Sequence, residues 1–142
     1  MTIDPAVIAQ SVQPVLSGCS DVVAAYLFGS AVSGTMRPDS DIDIAVLLYE
    51  TGSRSERKET LQSLFSPLSR ALRADVHLLF LNDASYLVRT QVFSKGKLLY
   101  SRDQEQLALF RMKSLSLFAD FATTMEMTRK GLQEKLRRSH GR

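Results

Sequence analysis

Two apolar runs restrict the fold of this chain more than any other feature of its sequence. Residues 22–28 and 44–48 carry no charged side chain, and the segment between them is rich in Gly, Ser, Pro and Asp. Short runs that are apolar at every position are typical of strands covered on both faces. We therefore predict two buried strands, over 22–28 and 41–48, in an α/β (α+β) fold with a short mixed sheet flanked by helices.

The remaining segments alternate between helical and strand patterns. Asp4 followed by Pro5 is a typical helix start, Pro67 should kink or split the helix that contains it, and Asn82 with Asp83 should cap the next helix. The predicted helices cover 5–16, 55–72, 84–94 and 103–138, and the two further strands cover 74–81 and 97–100. The last helical segment is one long helix or two consecutive ones. It forms a C-terminal arm with a basic tail (103–142) on a core of 1–102, within a single domain.

The composition is that of an ordinary globular protein. The 142 residues are 44% hydrophobic and 23% charged, and neither a signal peptide nor a run of the ~20 apolar residues needed to cross a bilayer is present. Cys19 is the only cysteine, which excludes an internal disulfide and a cysteine-based zinc site, and we expect it to be a core residue. The sequence therefore predicts a cytoplasmic protein without a membrane segment.

The positive charge is concentrated at the C-terminus. Residues 129–142 hold six Lys or Arg and one acidic residue, whereas the formal net charge of the whole chain is +3. We interpret the tail as a solvated helix end, and we do not expect direct nucleic-acid binding by the domain.

Three aspartates at alternate positions precede the second apolar run. Asp41 and Asp43 lie two residues apart at the start of a predicted strand, so their side chains should share one face. Two close carboxylates repel each other unless a cation lies between them, and oxygen ligands favour Mg²⁺ where phosphates complete its coordination. The spacing from Asp39 also imitates a calcium-binding EF-hand loop, but Ile44 stands where that loop needs Gly. Solvated loop carboxylates are the other alternative.

A small-residue loop precedes these aspartates. Gly29 and Ser30 follow the first predicted strand directly, and Gly34 and Arg37 come after them. Glycine lets a backbone approach a ligand closely, and exposed N–H groups with a serine hydroxyl can hold phosphate oxygens. The Gly29-x-x-x-x-Gly34 spacing is not a P-loop, because Thr35 and Met36 follow instead of Lys and Ser or Thr.

The order of these residues resembles a known family. Gly29-Ser30, Gly34, and the string Arg37-Pro38-Asp39-Ser40-Asp41-Ile42-Asp43 are similar to the signature of minimal nucleotidyltransferases in the DNA-polymerase-β-like superfamily. The resemblance covers about residues 20–100. That branch includes MntA-type antitoxins, which are paired with HEPN-domain toxins.

The resemblance implies a function and a set of site residues. Asp41 and Asp43, with Asp75 as the third carboxylate, would bind Mg²⁺, while Gly29, Ser30, Gly34 and Arg37 would hold the phosphates of ATP. The implied reaction is transfer of AMP to a tyrosine hydroxyl of a HEPN RNase toxin, which neutralises the toxin. His77 shares the predicted strand face of Asp75, and we interpret it as a structural histidine.

Other functions remain open on the sequence alone. The chain could modify a small molecule such as an aminoglycoside, although enzymes of that kind usually have more chain to enclose the substrate. It could also be an antitoxin that acts by binding without catalysis. The residues themselves do not identify the acceptor.

Overall fold

The computed structural model describes residues 4–33 and 41–140, in which helices and strands alternate along the chain. The α-helices are α1 (Pro5–Ser17), α2 (Ser30–Ser33), α3 (Arg54–Leu72), α4 (Tyr86–Lys95) and α5 (Gln104–His140), and a short 3₁₀ turn covers Leu81–Asp83. The strands are β1 (Val22–Phe28), β2 (Ile42–Leu48), β3 (Val76–Phe80) and β4 (Lys97–Ser101).

The four strands form one mixed sheet in the order β3-β2-β1-β4. Strand β1 pairs antiparallel with β2 and with β4, whereas β2 and β3 are parallel. A parallel pair needs a crossover, and α3 supplies it. The predicted mixed sheet flanked by helices is confirmed.

Each face of the sheet is covered by a different pair of helices. Ile44 and Val46 of β2 belong to a buried cluster with residues of α1 and α3, including Val12 and Leu68. On the other face, Leu47 belongs to a second cluster with residues of α4 and α5. Because both faces are covered, every residue of β1 except Phe28 is buried, as its continuous apolar pattern predicted.

The helix starts agree with the sequence in one case and correct it in another. Asp4 caps α1 by accepting a hydrogen bond from the Ala6 N–H at 3.0 Å. Helix α4 is capped by Ser85, which accepts from the Val88 N–H, so the prediction of Asn82 and Asp83 as its cap is wrong. Asn82 is instead bonded to the backbone of Leu48, accepting from its N–H at 2.9 Å and donating to its carbonyl at 2.8 Å.

Helix α3 corrects two further expectations. It continues through Pro67, so it is not split there. The carbonyl that loses its helical partner belongs to the exposed Ser63 and can bond to water. The helical spacing of Leu64, Phe65 and Leu68 predicts that they share one buried face. Leu64 and Leu68 are buried, but Phe65 is 48% exposed, so the prediction for Phe65 is wrong.

Helix α5 is one continuous helix of 37 residues, about 55 Å long. Its first part packs through Leu107 into the cluster on the face of the sheet that α4 covers, and Ser114 is buried beside Arg89 of α4. From residue 119 to 138 every side chain is exposed. Arg89 of α4 anchors the packed part by donating to the carbonyls of Leu81 and Asn82 and to Ser114 Oγ, with its guanidinium 4.6 Å from the centre of the Phe110 ring. Burial lowers the pKa of Arg89.

The start of α5 is fixed by a carboxylate just before it. Asp103 accepts from the Gln106 N–H at 3.0 Å and from the Tyr49 hydroxyl at 2.8 Å. The backbone hydrogen bond from Gln106, followed by that from Tyr49, lowers the pKa of Asp103, and the same hydroxyl contact raises the pKa of Tyr49. Among the described residues, no helix is long and apolar enough to span a membrane.

Candidate active site

The candidate site lies where β1 ends and β2 begins. Phe28, the last residue of β1, is the cross-strand partner of Asp43 in β2. The neighbours Ile42 and Ile44 point into the cluster under α1 and α3. Side chains alternate along a strand, so Asp43 lies on the opposite face, the one covered by α4 and α5. Its side chain is 25% exposed.

Gly29 is adapted to the approach of this carboxylate. Its φ is +74°, a left-handed conformation that disfavours side chains. A Cβ placed on Gly29 would collide with Asp43 Oδ2 and would lie 3.2 Å from Asp43 Cγ. Glycine is therefore required twice, once by the turn and once by the carboxylate packed against it.

The parallel strand β3 adds a histidine to the site. His77 is in register with Asp43, and its Nδ1 lies 3.2 Å from Asp43 Oδ1. The imidazole is 61% exposed, and its hydrogen bond to Asp43 is the one contact of this kind that the ring makes within the described residues. The sequence places His77 on the predicted strand face of Asp75 and leaves a role in the site open, but it favours a structural role. The contact of His77 with Asp43 was not predicted, since the register between two strands cannot be read from either strand alone.

The other two predicted carboxylates lie just before the first residues of β2 and β3. Asp41 and Asp75 directly precede β2 and β3, and both are exposed. The Ile42 N–H donates to the Asp75 carbonyl at 2.9 Å, so the two chain segments are neighbours there. The backbone thus brings Asp41, Asp43 and Asp75 to the same end of β2 and β3, while their convergence on one ion and their chemical roles stay predictions.

These residues can contribute to a metal site but do not complete one. Within 4–33 and 41–140, no group of three or more His, Cys, Asp or Glu side chains is close enough to hold a metal ion. Mg²⁺ is commonly held by one or two carboxylates with substrate phosphates and water completing the shell. The partly exposed Asp43 carboxylate, in the space left by Gly29, fits that arrangement.

A cavity of about 720 Å³ opens beside Phe28 and Gly29 on the same face of the sheet. Val32, Val88 and Val92 give it apolar walls, and Gln91 and Lys95 add polar groups. An apolar cavity of a few hundred Å³ with few polar groups is typical of a small-ligand site. Lys95 is a cation that was not singled out from the sequence, since it lies just beyond the helix predicted over 84–94.

Part of the predicted phosphate-binding loop lies outside the described residues. Gly34, Arg37 and Asp39 fall in the segment 34–40, so their proposed contacts stay predictions. Ser30 begins α2 directly after Gly29 and is half-buried.

The sequence of this chain matches a known protein family. The profile of the family described as "Polymerase beta, Nucleotidyltransferase" matches residues 10–105, which is more than half of the chain. The chain belongs to the polymerase beta nucleotidyltransferase family. The matched segment includes β1 to β4 and therefore the whole candidate site.

Relatives of this nucleotidyltransferase include toxin–antitoxin proteins. The chain is 42% identical over 93 residues to the protein adenylyltransferase MntA of Shewanella oneidensis; the match covers 66% of this chain and 63% of that protein, less than two thirds of its length. A crystal structure of a toxin–antitoxin with AMP-PNP contains a chain 31% identical, with a TM-score of 0.65, covering 88% of this chain and 98% of that one.

A further similar structure shows an MNT antitoxin in complex with a tri-AMPylated HEPN toxin of Shewanella oneidensis. The matching chain is 26% identical with a TM-score of 0.64, and the match covers 92% of this chain and 99% of that one. The similarity to these structures extends beyond residues 10–105, and it therefore includes part of α5.

Proposed function

We propose that this nucleotidyltransferase is an antitoxin that transfers AMP from ATP to a tyrosine hydroxyl of a HEPN-type toxin. The observation that carries the proposal is the Asp43 carboxylate packed against Gly29 at the edge where β2 and β3 begin. The similar proteins include a protein adenylyltransferase, a chain of a toxin–antitoxin structure with AMP-PNP and a chain of a complex between an AMPylated HEPN toxin and an MNT antitoxin, all of which support this reaction class.

In this proposal Asp41 and Asp43 hold Mg²⁺ against the triphosphate. The bound ion supplies charge neutralisation and Lewis-acid polarisation at the phosphates. Gly29 and Ser30, with Gly34 and Arg37 of the segment 34–40, hold the β- and γ-phosphates. Most of the rate enhancement comes from positioning and electrostatics.

The reaction is an in-line displacement at the α-phosphorus. The tyrosine oxygen forms a bond to this phosphorus, the bond to the bridging oxygen breaks, and pyrophosphate leaves. Asp75, at the neighbouring strand start, accepts the hydroxyl proton. The cavity beside Phe28 receives the nucleoside part of ATP, and Lys95 contributes positive charge at its border.

The distal part of α5 is the proposed toxin-docking surface. The distal part carries four apolar side chains that are each more than half exposed: Phe121, Met125, Leu132 and Leu136. Their spacing places them on the same face of α5 as Leu107, which is buried against the core. An exposed apolar stripe that continues a buried face marks a partner surface, and the similar solved structures are toxin–antitoxin complexes.

The test is AMP transfer to the HEPN-type toxin partner followed by intact mass spectrometry. With ATP and Mg²⁺, the wild-type protein should add whole AMP units to the toxin. Asp43→Asn should lose at least about 10³-fold in rate, because a metal ion contributes several kcal/mol to the transition state. Asp83→Asn is the matched control, since Asp83 forms a surface ion pair with Arg54 away from the site.

Each outcome separates the proposal from its alternatives. A tight complex in which the toxin stays unmodified would identify a binding-only antitoxin and refute the transferase. Absence of both binding and modification would instead favour a small-molecule acceptor. Full AMP transfer by the Asp43→Asn variant would show that Asp43 has no role in the reaction.

A further inference from the structure

The imidazole of His77 forms a hydrogen bond with the Asp43 carboxylate at the solvent-accessible end of two paired strands. The side chain of His77 is 61% exposed and that of Asp43 is 25% exposed, so both can be reached from solvent. An exposed pair of this kind contributes little to stability, about 0–1 kcal/mol. The contact between His77 and Asp43 is therefore not needed to hold the fold, and both side chains are accessible to a ligand.

The distance between the two side chains is that of neighbouring ligands on one ion. In an octahedral site with metal–oxygen distances of about 2.1 Å, adjacent donor atoms are about 3.0 Å apart. His77 Nδ1 and Asp43 Oδ1 are 3.2 Å apart, and both project from paired strands in register. A divalent ion can bridge these two atoms with little movement of either strand.

We propose that His77 is a metal ligand through Nδ1, so that the site binds Mn²⁺ or Co²⁺ more tightly than Mg²⁺. Carboxylates alone suit Mg²⁺, whereas imidazole nitrogen favours first-row transition metals. The inference rests on the proposed function for the location of the nucleotide phosphates. The role of His77 is tested separately, by metal binding rather than by transfer.

His77→Asn is the informative variant. The asparagine amide can donate to Asp43 from nearly the position of Nδ1, so a histidine that only orients Asp43 is replaced without loss. The same substitution removes the nitrogen atom that would bind the metal ion. The control is His140→Asn, because His140, at the end of α5, is the other histidine of the chain.

The experiment measures Mn²⁺ bound to the full-length protein with a non-hydrolysable ATP analogue. Pulsed electron paramagnetic resonance should show coupling of Mn²⁺ to the ¹⁴N of a directly bound histidine in the wild type and in His140→Asn, and none in His77→Asn. Titration should show at least about a 10-fold loss of Mn²⁺ affinity in His77→Asn. His77→Asp should lower the preference for Mn²⁺ over Mg²⁺.

The results distinguish this inference from the proposed function. Absence of histidine coupling in the wild type, or unchanged Mn²⁺ affinity in His77→Asn, would overturn the role of His77 even if AMP transfer occurs. Histidine coupling that depends on His77, in a protein that transfers no AMP, would support the ligand role and refute the proposed reaction.

Discussion

Replacing Gly29 with alanine tests the packing on which the candidate site depends. The backbone at Gly29 has a φ of +74°, and an L-residue pays about 1–2 kcal/mol for the left-handed conformation. A Cβ there would also overlap Asp43 Oδ2, so the carboxylate must rotate or the strand must shift. We expect Gly29→Ala to lose both stability and function.

Gly52→Ala is a closely matched control. Gly52 has the same φ of +74°, and its added Cβ would meet Oε2 of Glu56, which is the end of a long and exposed side chain. The conformational cost is therefore shared, about 1–2 kcal/mol in each variant, while only Gly29→Ala disturbs Asp43. For a chain of this size each kcal/mol lowers Tm by about 2–4 °C.

Two measurements separate the effects. Urea unfolding should show similar losses for both variants, with any excess in Gly29→Ala reporting the displaced carboxylate. AMP transfer and Mn²⁺ binding should fall sharply in Gly29→Ala and stay at the wild-type level in Gly52→Ala. If Gly29→Ala transfers AMP as well as Gly52→Ala does, the contact between Gly29 and Asp43 has no role in the site.

Three further predictions concern the anchoring and use of the long helix. Arg89→Ala removes three hydrogen bonds from a charged donor and its contact with an aromatic ring, and should lower the free energy of unfolding by about 2–4 kcal/mol; the exposed Arg111→Ala should change it much less in the same urea titration. Because hydrogen bonding lowers the folded pKa of Asp103, its stabilisation is present above the unfolded pKa of about 3.9 and is lost as the pH falls through the folded pKa. Stability measured from neutral pH into this acid range should therefore fall less in Asp103→Asn than in the wild type, and equal slopes would contradict this. Finally, Phe121→Asp and Met125→Asp should weaken toxin binding in calorimetry while Tm changes little, since both residues are exposed; wild-type affinity would move the docking surface elsewhere.

Local sequence patterns predicted most of the helices and strands, because each pattern reflects how the side chains of that segment are buried or exposed. The strand over 22–28 was predicted to the residue, since a continuous apolar run has few alternatives when both faces are covered. The start of α4 was placed wrongly because Asn82, Asp83 and Ser85 are all good capping residues, and the choice among them was made by the tertiary contact of Asn82 with Leu48.

Only part of the candidate site could be predicted from the sequence, for a similar reason. Gly29, Asp41 and Asp43 lie close together in the sequence, so a phosphate and metal role could be hypothesised for them from the local pattern. The proximity of His77 to Asp43 depends on the register of β3 against β2, which is set by packing across the sheet. The position of Lys95 at the cavity likewise depends on how α4 lies on the sheet, which no local pattern encodes.

The continuity of α5 limits how its sequence can change in length. Each residue added or removed within α5 between Ser114 and Phe121 would turn the distal apolar face by about 100°, away from any partner held in place. A change of seven residues would turn it by only about 20° and move it by about 10 Å along the axis. Working variants of this arm should therefore differ in length by near-whole numbers of helical turns.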